Sequence, residues 1–150
     1  MTARIHTPHA LAPEGIKAMM ALEQSLAHSG LDHRLLELVK YRVSQINGCA
    51  FCLHMHATDL RRHGESELRL YLLTAWREST LYSERERAAL GWAEALTHLP
   101  ESQAPDADYA ALAAVFSESE RVWLTLAIGA INSWNRLQVG FRVPHPVVDA

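Results

Sequence analysis

DHRLLELVKYRVSQINGCAFCLHMHATDLRRHG, residues 32–64, reads as two amphipathic helices joined by a sharp break. Leu35, Leu36, Val39, Val43 and Ile46 recur at helical spacing, and Asp32 stands where a side-chain oxygen can accept a first-turn N–H. Asn47-Gly48 interrupts the pattern, so a fresh helix is expected from Cys49 to near Gly64. Upstream, Pro13 suits the first turn of a helix reaching about His28, with Gly30 stopping it in the left-handed region. Downstream, SELRLYLLTAW (66–76) continues the helical pattern. Ser83-Glu84-Arg85-Glu86 is a capping box opening ERERAALGWAEALTHL (84–99), which Pro100 bounds, and Ser117-Glu118-Ser119-Glu120 is a second. The helix after it runs through VWLTLAIGAINSWNRL (122–137), whose apolar centre implies burial on several sides, a subunit interface among them. PESQAPDAD (100–108) reads as a loop. No alternating strand pattern competes, so the prediction is one all-α domain over residues 1–150, with about six to seven helices.

Composition narrows the function classes. Hydrophobic residues make up 49% and charged residues 21% of the 150, an ordinary globular balance. A formal net charge of -3 offers no field for nucleic acid or an anionic membrane. The N-terminal MTARIHTPHALAPEG is too polar for a secretory signal, and VWLTLAIGAI (122–131) is too short to span a bilayer. The expectation is a soluble, cytoplasmic protein with no nucleic-acid or membrane partner. In a reducing compartment the chain's two cysteines suggest catalysis or metal binding more than a structural bridge. No nucleotide-binding glycine motif, Ser-His-Asp arrangement or paired-carboxylate site is present, and no cofactor or metal is expected.

Cys49, Cys52 and His56 stand at i, i+3 and i+7, on one face of a helix. The helix N-terminus stabilises a thiolate on Cys49, while an imidazole one turn along favours one on Cys52. A base within hydrogen-bond reach outweighs an exposed dipole term of ~0.3–1 kcal/mol, so Cys52 is expected to be the more acidic thiol. Phe51, Leu53 and Met55 supply apolar flanks that could receive an organic substrate. Glu37, on the preceding helix, is placed to orient His56 if the break folds the two helices together. Two rivals stand beside this reading. The cysteines could be small core residues, or they and His56 could hold zinc with His54 or His63 as a fourth ligand, although no second cysteine pair exists. His54 is expected off the reactive face, and His63 to complement the helix C-terminus. Asn132, Trp134, Asn135 and Arg136 need hydrogen-bond partners in a buried helix and are read first as organisers of helix contacts. Trp76, Trp92 and Trp123 are read as core or interface aromatics, and Met19 and Met20 as core filler.

Glu37, then eleven residues, then Cys49-x-x-Cys52-x-x-x-His56 resembles the alkylhydroperoxidase D and carboxymuconolactone decarboxylase-like family, in its peroxidase-related branch with a CxxC motif. SERERAALGWAEALT (83–97) and AINSWNRLQVGFR (130–142) resemble the same branch, extending the likeness over about residues 15–143. The resemblance implies an all-helical homo-oligomer built from trimers, often a hexamer. It also implies a peroxiredoxin-type enzyme that reduces hydroperoxides and is regenerated by a thiol or dithiol reductant. Carried over, Cys52 attacks the peroxide, Cys49 resolves it as a disulfide, and His56 and Glu37 relay protons. Phe51 stands where the family's best-studied peroxidases carry a histidine, so the implied relay is one group shorter. A decarboxylase on the same fold, or a non-catalytic redox or zinc-sensing module, are the alternatives; the decarboxylating branch is not expected to need the cysteine pair.

Overall fold

Side-chain caps set the helix boundaries. In the computed structural model, which describes residues 2–146, Asp32 accepts the Leu35 N–H and opens the helix His33–Asn47. Ser83 and Ser117 each form both halves of a capping box, with Glu86 and Glu120, as their spacing predicts. Gly48 ends His33–Asn47 at φ 64°, a left-handed conformation in which a Cβ is strained. Its N–H and that of Cys49 turn back to carbonyls of the last helical turn, and the next helix starts two residues later.

The described residues form nine helices and no strand: α1 Pro8–Leu11, α2 Pro13–Ala27, α3 His33–Asn47, α4 Ala50–Arg62, α5 Glu67–Leu72, α6 Glu84–Thr97, α7 Leu99–Ser102, α8 Asp106–Val115 and α9 Glu118–Phe141. A 3-10 turn, Leu73–Ala75, extends α5. The count exceeds the expected six to seven because of two one-turn helices and because the stretch read as a loop already contains the start of α8. Asp106 and Asp108 lie in the first turn of α8, where acidic side chains complement the helix dipole, and alanines carry it onward.

Helix α3 is the hub, packing on α4, α6 and α9. Its Leu38, Val39 and Val43 are buried, each such side chain being worth about 1.5–3 kcal/mol on removal from water. The chain's own helices bury Leu124, Ala127, Ile128 and Ile131 of α9, while Val122, Leu126 and Val139 stay exposed on it. Much of the apolar stretch of α9 thus packs within one chain, and Val122, Leu126 and Val139 form its exposed apolar face. Trp76 and Trp92 are core residues, as read, but Met20 is not: it is 57% exposed. Among the described residues no helix is long and apolar enough to cross a membrane.

Candidate functional site

The left-handed turn at Gly48 makes Cys49 the N-cap of α4 rather than its first helical residue. Its Sγ accepts the Cys52 N–H at 3.3 Å, and the two sulfurs lie 2.6 Å apart as free, buried thiols. A modest closing motion separates this contact from a bond of ~2.05 Å. The contact with Cys52 pulls the Cys49 thiol down to about 7 from its usual 9.0; burial opposes the shift, while the N–H groups of the helix start and the Asn135 amide assist it. Cys52 moves strongly the other way, through its contact with Cys49, its burial and the charge on Cys49. Two touching sulfurs cannot both ionise cheaply, so the pair releases one proton near neutrality and keeps the other. The contact between the sulfurs sets this order, with Cys49 the lower of the two, whereas the sequence reading favours Cys52.

Across the break, α3 brings Glu37 to the imidazole. His56 Nδ1 lies 2.6 Å from Glu37 Oε2, with both residues buried. Burial alone would raise the Glu37 carboxyl; the hydrogen bond from His56 and the positive charges of His56 and Lys40 hold it at about 2 instead of 4.5. Lys40 Nζ donates to Glu37 Oε1 at 3.3 Å and to Glu23 Oε2 at 2.7 Å, and Trp134 Nε1 donates to Glu23 Oε1 at 3.1 Å. A continuous polar chain thus runs from α9 through α2 and α3 to α4. It ends at His56 Nε2, a buried nitrogen with no partner among the described residues. No direct hydrogen bond joins it to Cys52, although both line the same cavity.

Both groups open on a cavity of about 450 Å³. Ile16, Met20, Phe51, Met55, Ile131 and Trp134 give it mostly apolar walls, into which Cys52, His56, Glu37 and Lys40 are set. Cys49 does not line it; a second cavity of about 370 Å³, near Gly48 and Arg142, touches Cys49 instead. A peroxide or other small organic molecule in the larger space therefore meets one sulfur and not the other.

The four residues singled out from the sequence, Cys49, Cys52, His56 and Glu37, come together here. Phe51 and Met55 line the cavity as expected, whereas Leu53 does not. His54 is half-buried and stacks on His145, and His63 caps α4, its Nδ1 2.9 Å from the Asp59 carbonyl. The zinc set of both cysteines and His56 does not converge: among the described residues, the group that reaches metal-ligand spacing is His33, Asp59 and His63. Several residues of the site were not singled out. Lys40 could have been found, because it shares the Glu37 face three residues on. Glu23 carried no such signal. Asn135, read as a helix organiser, does that at the cysteine corner: it accepts from Asn47 Nδ2 at 2.9 Å and donates to Ser44 Oγ at 3.1 Å, and its amide lowers both thiols. Trp134, read mainly as a helix organiser, does that through Glu23 and also walls the cavity.

Comparison with known proteins gives this geometry a lineage. Residues 13–95 match the model of the carboxymuconolactone decarboxylase family. YdfG of Bacillus subtilis, described as uncharacterized, is 45% identical over 129 residues, covering 86% of this chain and 88% of that protein. A solved structure from Agrobacterium tumefaciens, described as a protein of unknown function with a suggested antioxidant-defence role as AhpD, is 50% identical. It superposes with a TM-score of 0.93 over 98% of this chain and 100% of its own. The debrominase Bmp8, at 19% identity, shares the fold alone, with a TM-score of 0.82 over 92% of this chain and 74% of its own. The chain belongs to the carboxymuconolactone decarboxylase family, with an AhpD-like all-helical fold and its Cys-x-x-Cys pair at Cys49 and Cys52.

Proposed function

We propose that the protein is a thiol-dependent peroxidase that reduces organic hydroperoxides through a Cys49–Cys52 dithiol–disulfide cycle. One observation carries the reading: two touching thiols at a helix start, of which Cys52 alone faces a largely apolar cavity shared with His56 and Glu37. The 50% identical Agrobacterium structure, with its suggested antioxidant role, supports the same class.

The chemistry balances with the groups present. Cys49 rests as the thiolate and Cys52 as the thiol. The Cys52 sulfur attacks the terminal peroxide oxygen as its proton passes to Cys49, giving a sulfenic acid and breaking the O–O bond. The departing alkoxide takes a proton from His56, which Glu37 holds in place, and leaves as the alcohol. Cys49 then attacks the sulfenic sulfur, releasing water and forming the disulfide. An external thiol or dithiol returns the two electrons. The decarboxylase alternative gives the touching cysteine pair no role.

The test is anaerobic titration of reduced protein with tert-butyl hydroperoxide, followed by thiol counting and mass spectrometry. One equivalent should remove both thiols and two hydrogens, without linked dimers. Cys49→Ser should stop at a sulfenic acid on Cys52, and Cys52→Ser should react at least ~100-fold more slowly, as expected when a nucleophile is lost. Thiols that survive excess peroxide would overturn the reading.

A further inference from the structure

Away from the sulfurs, three side chains meet beside the same cavity, two of them, His33 and Asp59, in its wall. His33 is the first residue of α3, and Asp59 and His63 stand four apart at the end of α4. One ligand atom from each lies within 4.8 Å of the others. His33 Nε2 is 2.7 Å and His63 Nδ1 3.4 Å from the same carboxylate oxygen of Asp59, and the two imidazole rings stand 4.5 Å apart. We propose that His33, Asp59 and His63 form a binding site for a divalent zinc-class ion, which would tie the start of α3 to the end of α4.

The geometry lies close to what such an ion needs. Ligand atoms about 2.0–2.2 Å from a tetrahedral centre sit about 3.3 Å from each other. The two approaches to the Asp59 carboxylate bracket that value, and exposed side chains can adjust without moving backbone. Two imidazoles and a carboxylate suit zinc, nickel or cobalt, whereas calcium and magnesium prefer all-oxygen sets. Without metal, hydrogen bonds from His33 Nε2 to the Asp59 carboxylate and from His63 Nδ1 to the Asp59 carbonyl hold the cluster, and a metal ion would replace both, the His63 proton moving to Nε2. With His33 and His63 about half exposed, the ion has a path in and keeps at least one coordination position for water. His33 and Asp59 also line the cavity, so that open position lies at its entrance. The proposal does not depend on peroxidase activity, since neither cysteine belongs to the set.

Calorimetric titration with zinc ion tests it in a Cys49→Ser/Cys52→Ser background, where thiols cannot compete. The expected result is one ion per chain and a melting temperature that rises with zinc. In His33→Gln and in His63→Gln, affinity should fall about tenfold or more and the thermal shift should vanish. Both positions are exposed, and melting without zinc checks that each variant folds. Should the serine background not fold, cobalt ion added to the wild-type chain replaces zinc, because thiolate ligation shows as a charge-transfer absorption that a histidine–carboxylate set lacks. Absence of one-to-one binding, or binding that neither histidine variant weakens, would overturn the proposal, as would a thiolate-type cobalt spectrum that His33→Gln leaves unchanged.

Discussion

Two carboxylates on neighbouring helices, one buried and one partly buried, show how similar parts serve different ends. Glu94 on α6 takes hydrogen bonds from Arg42 at 2.8 Å and Trp76 at 2.8 Å, and pairs with Arg77 through its other oxygen. Glu37 on α3 takes His56 at 2.6 Å and Lys40 at 3.3 Å. Burial would raise both carboxyls, and cationic or hydrogen-bonding partners lower both. The difference lies in the partners. Arginine and indole offer Glu94 only donors and hold its charge in place. Histidine offers Glu37 one nitrogen and presents a second, which can carry a proton elsewhere. A low carboxyl pKa therefore does not mark a site; a partner with a free far end beside a cavity does.

The comparison breaks most readily at the rate of thiol oxidation. Glu37→Gln should slow peroxide turnover by ~10²–10⁴-fold, the usual worth of a positioned acid–base group, in stopped-flow assays on folded protein. If turnover holds within about twofold, Glu37 is only a second Glu94. Conversely, Glu94→Ala should cost about 1–3 kcal/mol in denaturant unfolding, because it leaves Arg42 and Trp76 short of an acceptor, yet leave the oxidation rate per folded chain unchanged.

Acid unfolding sharpens the same pair. Glu37 has a folded pKa of about 2 against 4.5 unfolded, so its charge stabilises the fold above about pH 4.5. That contribution, of order 3 kcal/mol, disappears as pH falls from about 4.5 through 2. In Glu37→Gln this slope should be absent, and the stability gap to wild type should close toward pH 2. A gap constant over that range would remove the charge from the account. The smallest expected effect is spectroscopic: ultraviolet absorbance should report one thiolate per chain titrating near pH 7, and Cys49→Ser should abolish that step. Its persistence in that variant, with loss in Cys52→Ser, would restore Cys52 as the more acidic thiol.

What the sequence made legible was local. Asp32, Gly48 and the two serine boxes act within four residues of themselves, where backbone geometry alone fixes the partners. The face shared by Cys52 and His56 follows from helical period in the same way, and the Asn47-Gly48 break was enough to bring Glu37 over to it. The remainder of the site was hidden because periodicity tells which face a residue occupies, not which helix crosses it. Glu23 reaches Lys40 over 17 positions, Asn135 reaches Ser44 over 91, and Trp134 reaches Glu23 over 111. Each meeting depends on how α2 and α9 cross α3. Met20 escaped for the opposite reason: its apolar side chain faces a cavity, which in sequence looks the same as facing a core.

The buried His56 Nε2 gives the cavity a selectivity that its walls do not supply. A hydrocarbon of the right shape can fill the space between Ile16, Phe51 and Trp134, but displacing water beside that nitrogen leaves it unpaired. An unsatisfied buried polar group costs about 1–3 kcal/mol, which corresponds to binding weaker by roughly 5- to 150-fold. A guest of equal size with an oxygen at that point avoids the loss. The cavity thus favours guests that carry an oxygen at that point.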